Sequence, residues 1–182
     1  MNLISYKIDT APTYINGIVD DSKYVTDFNG TIQAFNEKNE DVVIGTFDIT
    51  SVDMFSATAN NDECLIDVID VTQNTYDAAE AILDTRDYEP KKSIERQFDS
   101  SAYGSYAVVN SIKINDKWKN KNVDIATMFD FMTRYLPDNS LFMIEPKNKK
   151  HEEKLKKFKF KKIKGSNFYA FCNAYLQPVV KL

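Results

Sequence analysis

The chain has few of the residues that build several common kinds of site. Its 182 residues include one histidine, His151, and two cysteines, Cys64 and Cys172. A single histidine excludes multi-histidine metal sites, and two distant thiols without metal-type spacing predict reduced structural cysteines rather than a disulfide or a nucleophile. His151 lies in a run of Lys and Glu, which favours a surface position over the role of a catalytic base.

Long apolar runs and glycine-rich motifs are missing as well. No window approaches the roughly 20 apolar residues of a membrane span, and the first residues, MNLISYKIDTAP, lack the apolar run of a signal peptide. There is no G-x-G-x-x-G, no P-loop and no G-x-S-x-G. Because the long apolar runs of membrane spans and signal peptides are missing, we expect a cytoplasmic protein without a membrane span. The length and the 43% hydrophobic content predict one domain over residues 1–182.

Charge is distributed unevenly along the chain. Residues 1–146 carry 12 Lys and Arg against 25 Asp and Glu, whereas residues 147–182 carry 11 against 2. Ten lysines lie in Lys147–Lys164, which we call the basic run. Such a run either attracts phosphates, an acidic protein or nucleic acid, or forms a solvated face that balances the acidic remainder. All three arginines lie outside it, which makes nucleic acid the least favoured partner.

The apolar pattern predicts an α/β fold. Apolar and β-branched runs predict strands at Asn2–Ile8, Thr31–Phe35, Val42–Ile49, Cys64–Val71, Tyr103–Ile114, Leu141–Ile144 and after the turn Gly165–Asn167. The second and third of these are expected to pair as an antiparallel hairpin. Helices are predicted after a cap at Thr72 or Thr75, at Val123–Leu136 and at Asn148–Phe158. Residues 84–101 are highly charged and include Pro90, which predicts a surface excursion or an irregular helix rather than core.

The order of elements after Ser105, namely strand, polar loop, helix, strand, helix and strand, resembles the core of the GNAT superfamily of acyl-CoA-dependent N-acyltransferases. In that superfamily a loop of the form Arg/Gln-x-x-Gly-x-Gly/Ala opens a helix whose backbone N–H groups bind the pyrophosphate of acyl-CoA. Here Lys119 stands at the basic position, and Asn122 and Asp124 stand at the two small-residue positions. Asn148 matches an asparagine that often begins the following helix.

The resemblance spans about Thr31 to Phe171. It implies a single domain with a mixed, largely antiparallel central sheet flanked by helices. It also implies acetyl-CoA as the cofactor, bound by Ile112, Lys113, Ile114, Lys119, Asn120, Lys121, Asn122, Val123, Asp124, Ile125 and Asn148.

Four positions depart from the superfamily pattern. Asn122 adopts a left-handed backbone conformation at modest cost, so it is a tolerable substitute for glycine. The carboxylate of Asp124 would repel a pyrophosphate unless it points away. Leu155 stands where many members have the tyrosine thought to protonate the leaving thiolate, and it has no proton to give. Lys159 replaces a glycine before phenylalanine.

These departures leave two hypotheses. The first is an acyltransferase that moves an acyl group directly from acetyl-CoA to an amine, with a carboxylate or a water removing the amine proton. The strand carboxylates Asp67 and Asp70 are candidate bases, although alternating acidic residues on a strand usually face solvent. Tyr169 and Tyr175 are candidate acids, although we expect them to pack the last strand. The catalytic residues are otherwise not assigned.

The second hypothesis is a catalytically inactive GNAT-like module that binds a protein partner. It accounts for Asp124, Leu155 and the uneven charge together. A composition rich in Lys and Asn with few arginines is compatible with a low-GC bacterium or its mobile elements, where a partner-binding role is plausible.

Overall fold

The structure, a computed structural model, describes residues 4–11, 14–15, 18–19, 24–35, 40–60, 64–84, 86–98, 105–137 and 139–175. The strands in these ranges are β1 Ile4–Ala11, β2 Tyr14–Ile15, β3 Ile18–Val19, β4 Val25–Phe35, β5 Asp41–Val52, β6 Tyr106–Ile114, β7 Leu141–Ile144, β8 Lys161–Lys162 and β9 Tyr169–Cys172. The α-helices are α1 Met54–Asn60, α2 Leu65–Ile69, α3 Gln73–Ile82, α4 Lys92–Phe98, α5 Val123–Tyr135 and α6 Lys149–Lys157. Two short 3-10 helices, Asp116–Lys121 and Asn173–Tyr175, complete the described elements.

Seven of the strands form one mixed sheet in the order β1-β4-β5-β6-β7-β9-β8. Every neighbouring pair is antiparallel except β6 and β7, which run parallel. Strands β2 and β3 form a separate two-stranded ladder. The predicted fold class, α/β with a largely antiparallel sheet flanked by helices, is confirmed.

Apolar side chains pack on both faces of this sheet. On one face, α1 to α4 cover a core that includes Val52, Tyr106 and Val108. On the other face, α5 and α6 cover a second core that includes Phe47 and Ile49. The alternation of inward and outward side chains along β5 and β6 supplies both cores, which gives a helix–sheet–helix layering.

Most predicted elements are present. The hairpin is formed by β4 and β5, which are both longer than predicted, while residues 36–39 of its turn lie outside the described residues, as do Asn2, Tyr103 and the side chain of Tyr175. Helices α5 and α6 and strands β7 and β9 lie where they were expected. Thr72 is the cap of α3: its hydroxyl accepts the Thr75 N–H at 3.1 Å, and the Thr75 hydroxyl accepts the Thr72 N–H at 2.9 Å. This reciprocal pair is a capping box.

The strand predicted at Cys64–Val71 is wrong, because that segment contains helix α2. An apolar run this short fits a strand or one helical turn equally well, and tertiary packing decides between them. Here the position beside β5 in the sheet is held by β6, so the run packs against the core through Val68 and Ile69 instead. Asp67 and Asp70 are exposed on this helix and its end rather than on a strand.

The charged segment 84–101 also differs from its prediction. It contains the regular helix α4, and Ile94 and Phe98 on that helix are 2% and 1% exposed. Their spacing of four residues places both on one helical face, which packs on the sheet. Residues 99–101 lie outside the described residues. The segment therefore contributes to the core although half of its residues are charged.

Within the described ranges, no helix combines the length and the apolarity that crossing a membrane requires. Cys64 is exposed and Cys172 is buried, and both are free thiols. Burial raises the pKa of the Cys172 thiol above its ordinary value.

Gly45 permits the close approach of β5 to its neighbour β6. A Cβ atom added there would lie 2.5 Å from the Lys113 carbonyl oxygen and 2.9 Å from Ile114 Cδ1. We predict that Gly45→Ala lowers the free energy of unfolding by about 1–3 kcal/mol, because two backbones must move apart. Urea denaturation would measure the loss. Thr46→Ala, at the exposed neighbouring position, is the matched control and should change stability less; equal stability of Gly45→Ala and the wild type would contradict the prediction.

Candidate functional site

The one parallel pair of the sheet opens into a cleft. Strand β6 pairs with β7 only from Tyr106 to Val109, because β7 ends at Ile144 and the chain then turns toward α6. Strand β6 continues to Ile114, so within the described residues its last five residues have no strand partner on the β7 side. The gap is a cleft of about 840 Å³ between the two strands and the first turns of α5 and α6.

The cleft has an apolar floor and a basic rim. Apolar side chains line it from β6, α5 and β7, namely Val109, Ile112, Ile114, Met128 and Ile144. The rim carries Lys119, Lys147, Lys150, Lys154 and His151, against the two carboxylates of Asp124 and Glu145. A concave site with apolar walls and a few convergent charges suits a ligand that has an apolar part and an anionic part.

The loop before α5 has the backbone geometry that glycine would otherwise supply. Asn122 has φ 53° and ψ 27°, the left-handed conformation that asparagine tolerates better than most residues. The 3-10 helix Asp116–Lys121 precedes it, and Trp118 on this helix packs against the core while the Lys121 ammonium lies 4.4 Å from its ring centroid. The loop thus enters α5 through Asn122 in the left-handed conformation, and its aromatic residue, Trp118, packs against the core.

Asp124, in the first turn of α5, points toward α6. Its Oδ1 lies 2.5 Å from Lys154 Nζ, and both side chains are about one-fifth exposed. A carboxylate near a helix N-terminus is favoured by the helix dipole, and here it is also paired with an ammonium. The charge of Asp124 in the cleft is therefore compensated by the protein itself.

The start of α6 forms the opposite wall of the cleft. The Asn148 side chain caps the helix by accepting the His151 N–H at 3.0 Å. His151 Nδ1 accepts the Lys147 N–H at 3.3 Å. The Lys147 ammonium crosses the cleft and donates to the Ile112 carbonyl oxygen at 2.7 Å. One backbone acceptor on the open edge of β6 is therefore satisfied by a side chain rather than by a strand.

A polar cluster lies at the inner end of the cleft, around a β-bulge. Asn110 is the extra residue of β6 at this bulge. Its Nδ2 donates to Asp48 Oδ1 and to Thr50 Oγ1, both at 2.9 Å, and its Oδ1 accepts from Asn74 Nδ2 at 2.7 Å. Bulges often redirect a side chain beside a functional site. Asn74 belongs to α3, on the face of the sheet opposite α5, so residues from both faces of the sheet line the cleft along the open edge of β6.

Five of the eleven predicted cofactor-binding residues line the cleft: Ile112, Ile114, Lys119, Asp124 and Asn148. The others do not. Val123 and Ile125 are buried in the core, Lys113 is exposed on the far side of β6, and Lys121 lies over Trp118. Asn122 contributes its backbone conformation, and the side chain of Asn120 lies outside the described residues.

The candidate catalytic groups do not converge on the cleft. Asp67, Asp70 and Tyr169 are not among its lining residues. Tyr169 packs the last strand, as expected, and its hydroxyl donates to Glu152 Oε1 at 2.6 Å. Burial, and then this bond to the carboxylate, raises the pKa of the Tyr169 hydroxyl. Leu155 is fully buried.

Sequence reasoning missed most of the polar lining of the cleft. It identified the basic run, but it did not show that Lys147, Lys150 and Lys154 would face the loop before α5. It assigned His151 to the surface, whereas this residue is partly buried in the cleft wall. The one available signal at the inner end was Asn110, a polar residue that directly follows the apolar residues Ala107, Val108 and Val109 of a strand run.

No protein-family model matches the chain, and neither the curated proteins nor the solved structures give a match. Among the described residues, no group of three or more His, Cys, Asp or Glu side chains is placed to hold a metal ion.

His151 is a reporter of the electrostatics of the cleft. Its pKa is held below 6.5 because burial disfavours the charged ring, while Asp124 opposes that shift and Lys154 and Lys147 reinforce it. A lowered histidine pKa means that His151 stabilises the folded state above the unfolded pKa, and that this contribution is lost as the pH falls through the folded pKa.

We predict that an NMR titration of the single histidine ring gives a pKa below 6.5. Asp124→Asn should lower it further, because the carboxylate that favours the imidazolium is removed. Asp130→Asn, on the same helix but outside the cleft lining, should leave it unchanged. A pKa above 6.5 in the wild type, or equal shifts in both variants, would contradict this picture.

Proposed function

We propose that the protein binds an acyl-CoA thioester in the cleft between β6 and β7 and transfers the acyl group directly to an amine. The observation that carries this proposal is the open edge of β6, whose backbone groups have no strand partner on the β7 side among the described residues, beside an apolar floor and a lysine rim. Acyl-CoA has three parts that match these three features: amide groups, an apolar acyl thioester and phosphates. The resemblance of residues 31–171 to the GNAT superfamily supports the same choice.

Each part of the ligand has a complementary lining. The Ile112 carbonyl, which accepts from Lys147, is suited to an amide donor of an extended ligand. Val109, Met128 and Ile144 offer apolar contacts to the acyl end. The rim lysines supply the positive potential that phosphates require.

The inner cluster around Asn110 is suited to the amine. Asp48 accepts a hydrogen bond from Asn110, which lines the inner end of the cleft. A carboxylate charge is therefore present near this end, away from the lysine rim. An amine entering there would be attracted by Asp48, and a water in the cluster would carry its proton away. In this scheme Asn110 and Asp48 are positioning residues. The chain contributes mainly orientation, which alone supplies a large part of the rate increase in direct transfers.

The absence of a hydroxyl at Leu155 is compatible with such a reaction. A thiolate is a stable leaving group near neutral pH compared with an alkoxide, since an ordinary thiol pKa is about 8.5. Water in an open cleft can protonate it. Catalysis by orientation therefore does not depend on a dedicated acid at this position.

A second candidate function is a non-catalytic module that binds an acidic protein partner. It is favoured by the exposed lysines of α6 and β8, since Lys149, Lys157, Lys161 and Lys162 have no carboxylate within ion-pair distance among the described residues. This alternative requires no ligand in the cleft. It is supported if acetyl-CoA does not bind and a captured acidic partner is lost on replacing these lysines.

We predict that acetyl-CoA binds the wild type with a dissociation constant on the order of 1 μM to 1 mM, the usual range for enzyme substrates. Lys119→Ala should weaken binding by about threefold to tenfold, because Lys119 lines the cleft. Isothermal titration calorimetry measures both values.

Lys117→Ala is the matched control, since Lys117 lies on the same 3-10 helix but not in the cleft. Transfer is measured as release of free CoA thiol with putrescine or a lysine-containing peptide as the acceptor. No heat on titration with acetyl-CoA, together with no thiol release, would overturn the proposed function.

A further inference from the structure

Three of the rim lysines of the cleft make contacts with other groups of the same chain. Lys154 is paired with Asp124, Lys119 lies 2.5 Å from Asp116 Oδ1, and Lys147 donates to Ile112. Of the four rim lysines, only Lys150 lacks such a partner among the described residues. An anion that enters the cleft can therefore meet Lys150 directly, but it must replace internal contacts to reach Lys119, Lys147 or Lys154.

The Asp124–Lys154 pair is the most enclosed of these contacts. Both of its side chains are about one-fifth exposed, whereas Lys119 and Asp116 are 61% and 90% exposed. Exposed pairs are weak and exchange readily with solvent, so the Lys119 pair presents little obstacle to a ligand. Lys154 is held more firmly, and it lies on a wall where Lys150 and His151 also face the cleft.

Asp124 also changes what the N-terminus of α5 can bind. The partial positive charge of a helix N-terminus attracts anions, but here a carboxylate in the first turn already interacts with it. A phosphate at this end would meet a like charge. The available cations lie instead on α6, across the cleft.

We propose that Lys154 is the main phosphate-binding side chain of the cleft and that Asp124 is its internal competitor. The proposal rests on the proposed function, since it names the group that receives the phosphates of the acyl donor. A diphosphate carries more charge than one carboxylate and offers more acceptor oxygens, so it displaces Asp124 from Lys154, whereas a simple carboxylate does not. Asp124 thereby selects ligands by their charge.

The test uses inorganic pyrophosphate as the probe, titrated by calorimetry into the full chain at fixed ionic strength. Asp124→Asn should strengthen pyrophosphate binding by about threefold to tenfold, because the competitor loses its charge but keeps its shape. Asp124→Ser is a second variant of the same kind. Asp130→Asn removes a charge from the same helix outside the cleft and should leave binding unchanged. Thermal unfolding of each variant checks that it is folded.

A double-mutant cycle separates competition from simple repulsion. Lys154→Gln should weaken pyrophosphate binding, while Lys157→Gln, exposed on the same helix and outside the cleft, should have less effect. If Asp124 acts by holding Lys154, Asp124→Asn gives no gain in the Lys154→Gln background. A gain of the same size in both backgrounds, or no gain in either, would overturn the proposal.

The outcomes also separate this proposal from the proposed function. Suppose that pyrophosphate binding changes in the variants as expected, but acetyl-CoA does not bind and no thiol is released. This result supports the role of Lys154 and contradicts the proposed acyltransferase function. If acetyl-CoA binding and acyl transfer are unaffected by Asp124→Asn and Lys154→Gln, the acyltransferase function is supported and the proposed roles of these two residues are contradicted.

Discussion

The candidate site depends on the unequal lengths of two parallel neighbours, β6 with nine residues and β7 with four. Backbone N–H and C=O groups of a strand need partners, and an edge that is left open inside a sheet must find them in side chains, solvent or a ligand. Lys147 supplies one such partner to β6. The position of the cleft, its backbone-lined wall and its suitability for an extended ligand all follow from the point at which β7 stops.

The rim of the cleft is held on a rigid element. Helix α6 is anchored on its inner side by the fully buried Leu155, and it is tied to β9 through the hydrogen bond from Tyr169 to Glu152. Lys156 also donates to Glu152, at 2.5 Å. These contacts fix the orientation of the helix, so the lysines on its cleft side occupy defined positions, as a preorganised binding site requires.

The sequence allowed the fold to be predicted better than the site. Strong periodicity identified α5, and a short apolar run between turn residues identified β7, because both patterns reflect burial that is local in sequence. Cys64–Val71 was assigned wrongly because eight apolar and acidic residues satisfy either period, and only the sheet neighbour chosen by β5 decides the outcome. Ile94 and Phe98 were missed since the charges around them hid two core residues at helical spacing.

The site was harder to predict because its parts come from segments that are distant in the chain. The Lys154–Asp124 pair joins residues 30 positions apart, and the Asn74–Asn110 bond joins residues 36 apart. Neither is visible in a local pattern. Five of the residues predicted from the resemblance to the GNAT superfamily line the cleft, but the lysines that face the loop became apparent only in three dimensions.

The open edge of β6 at Asn110, lined from both faces of the sheet, bears on the order of binding in the proposed acyl transfer. Two ligands can approach such a gap from opposite faces, one beside α5 and α6 and the other beside α3, without sharing an entrance. Neither ligand has to leave before the other binds. The acyl group therefore need not be attached to a side chain of the protein between two binding events. For the proposed transfer, a gap of this kind favours a ternary complex of the protein with the acyl donor and the amine.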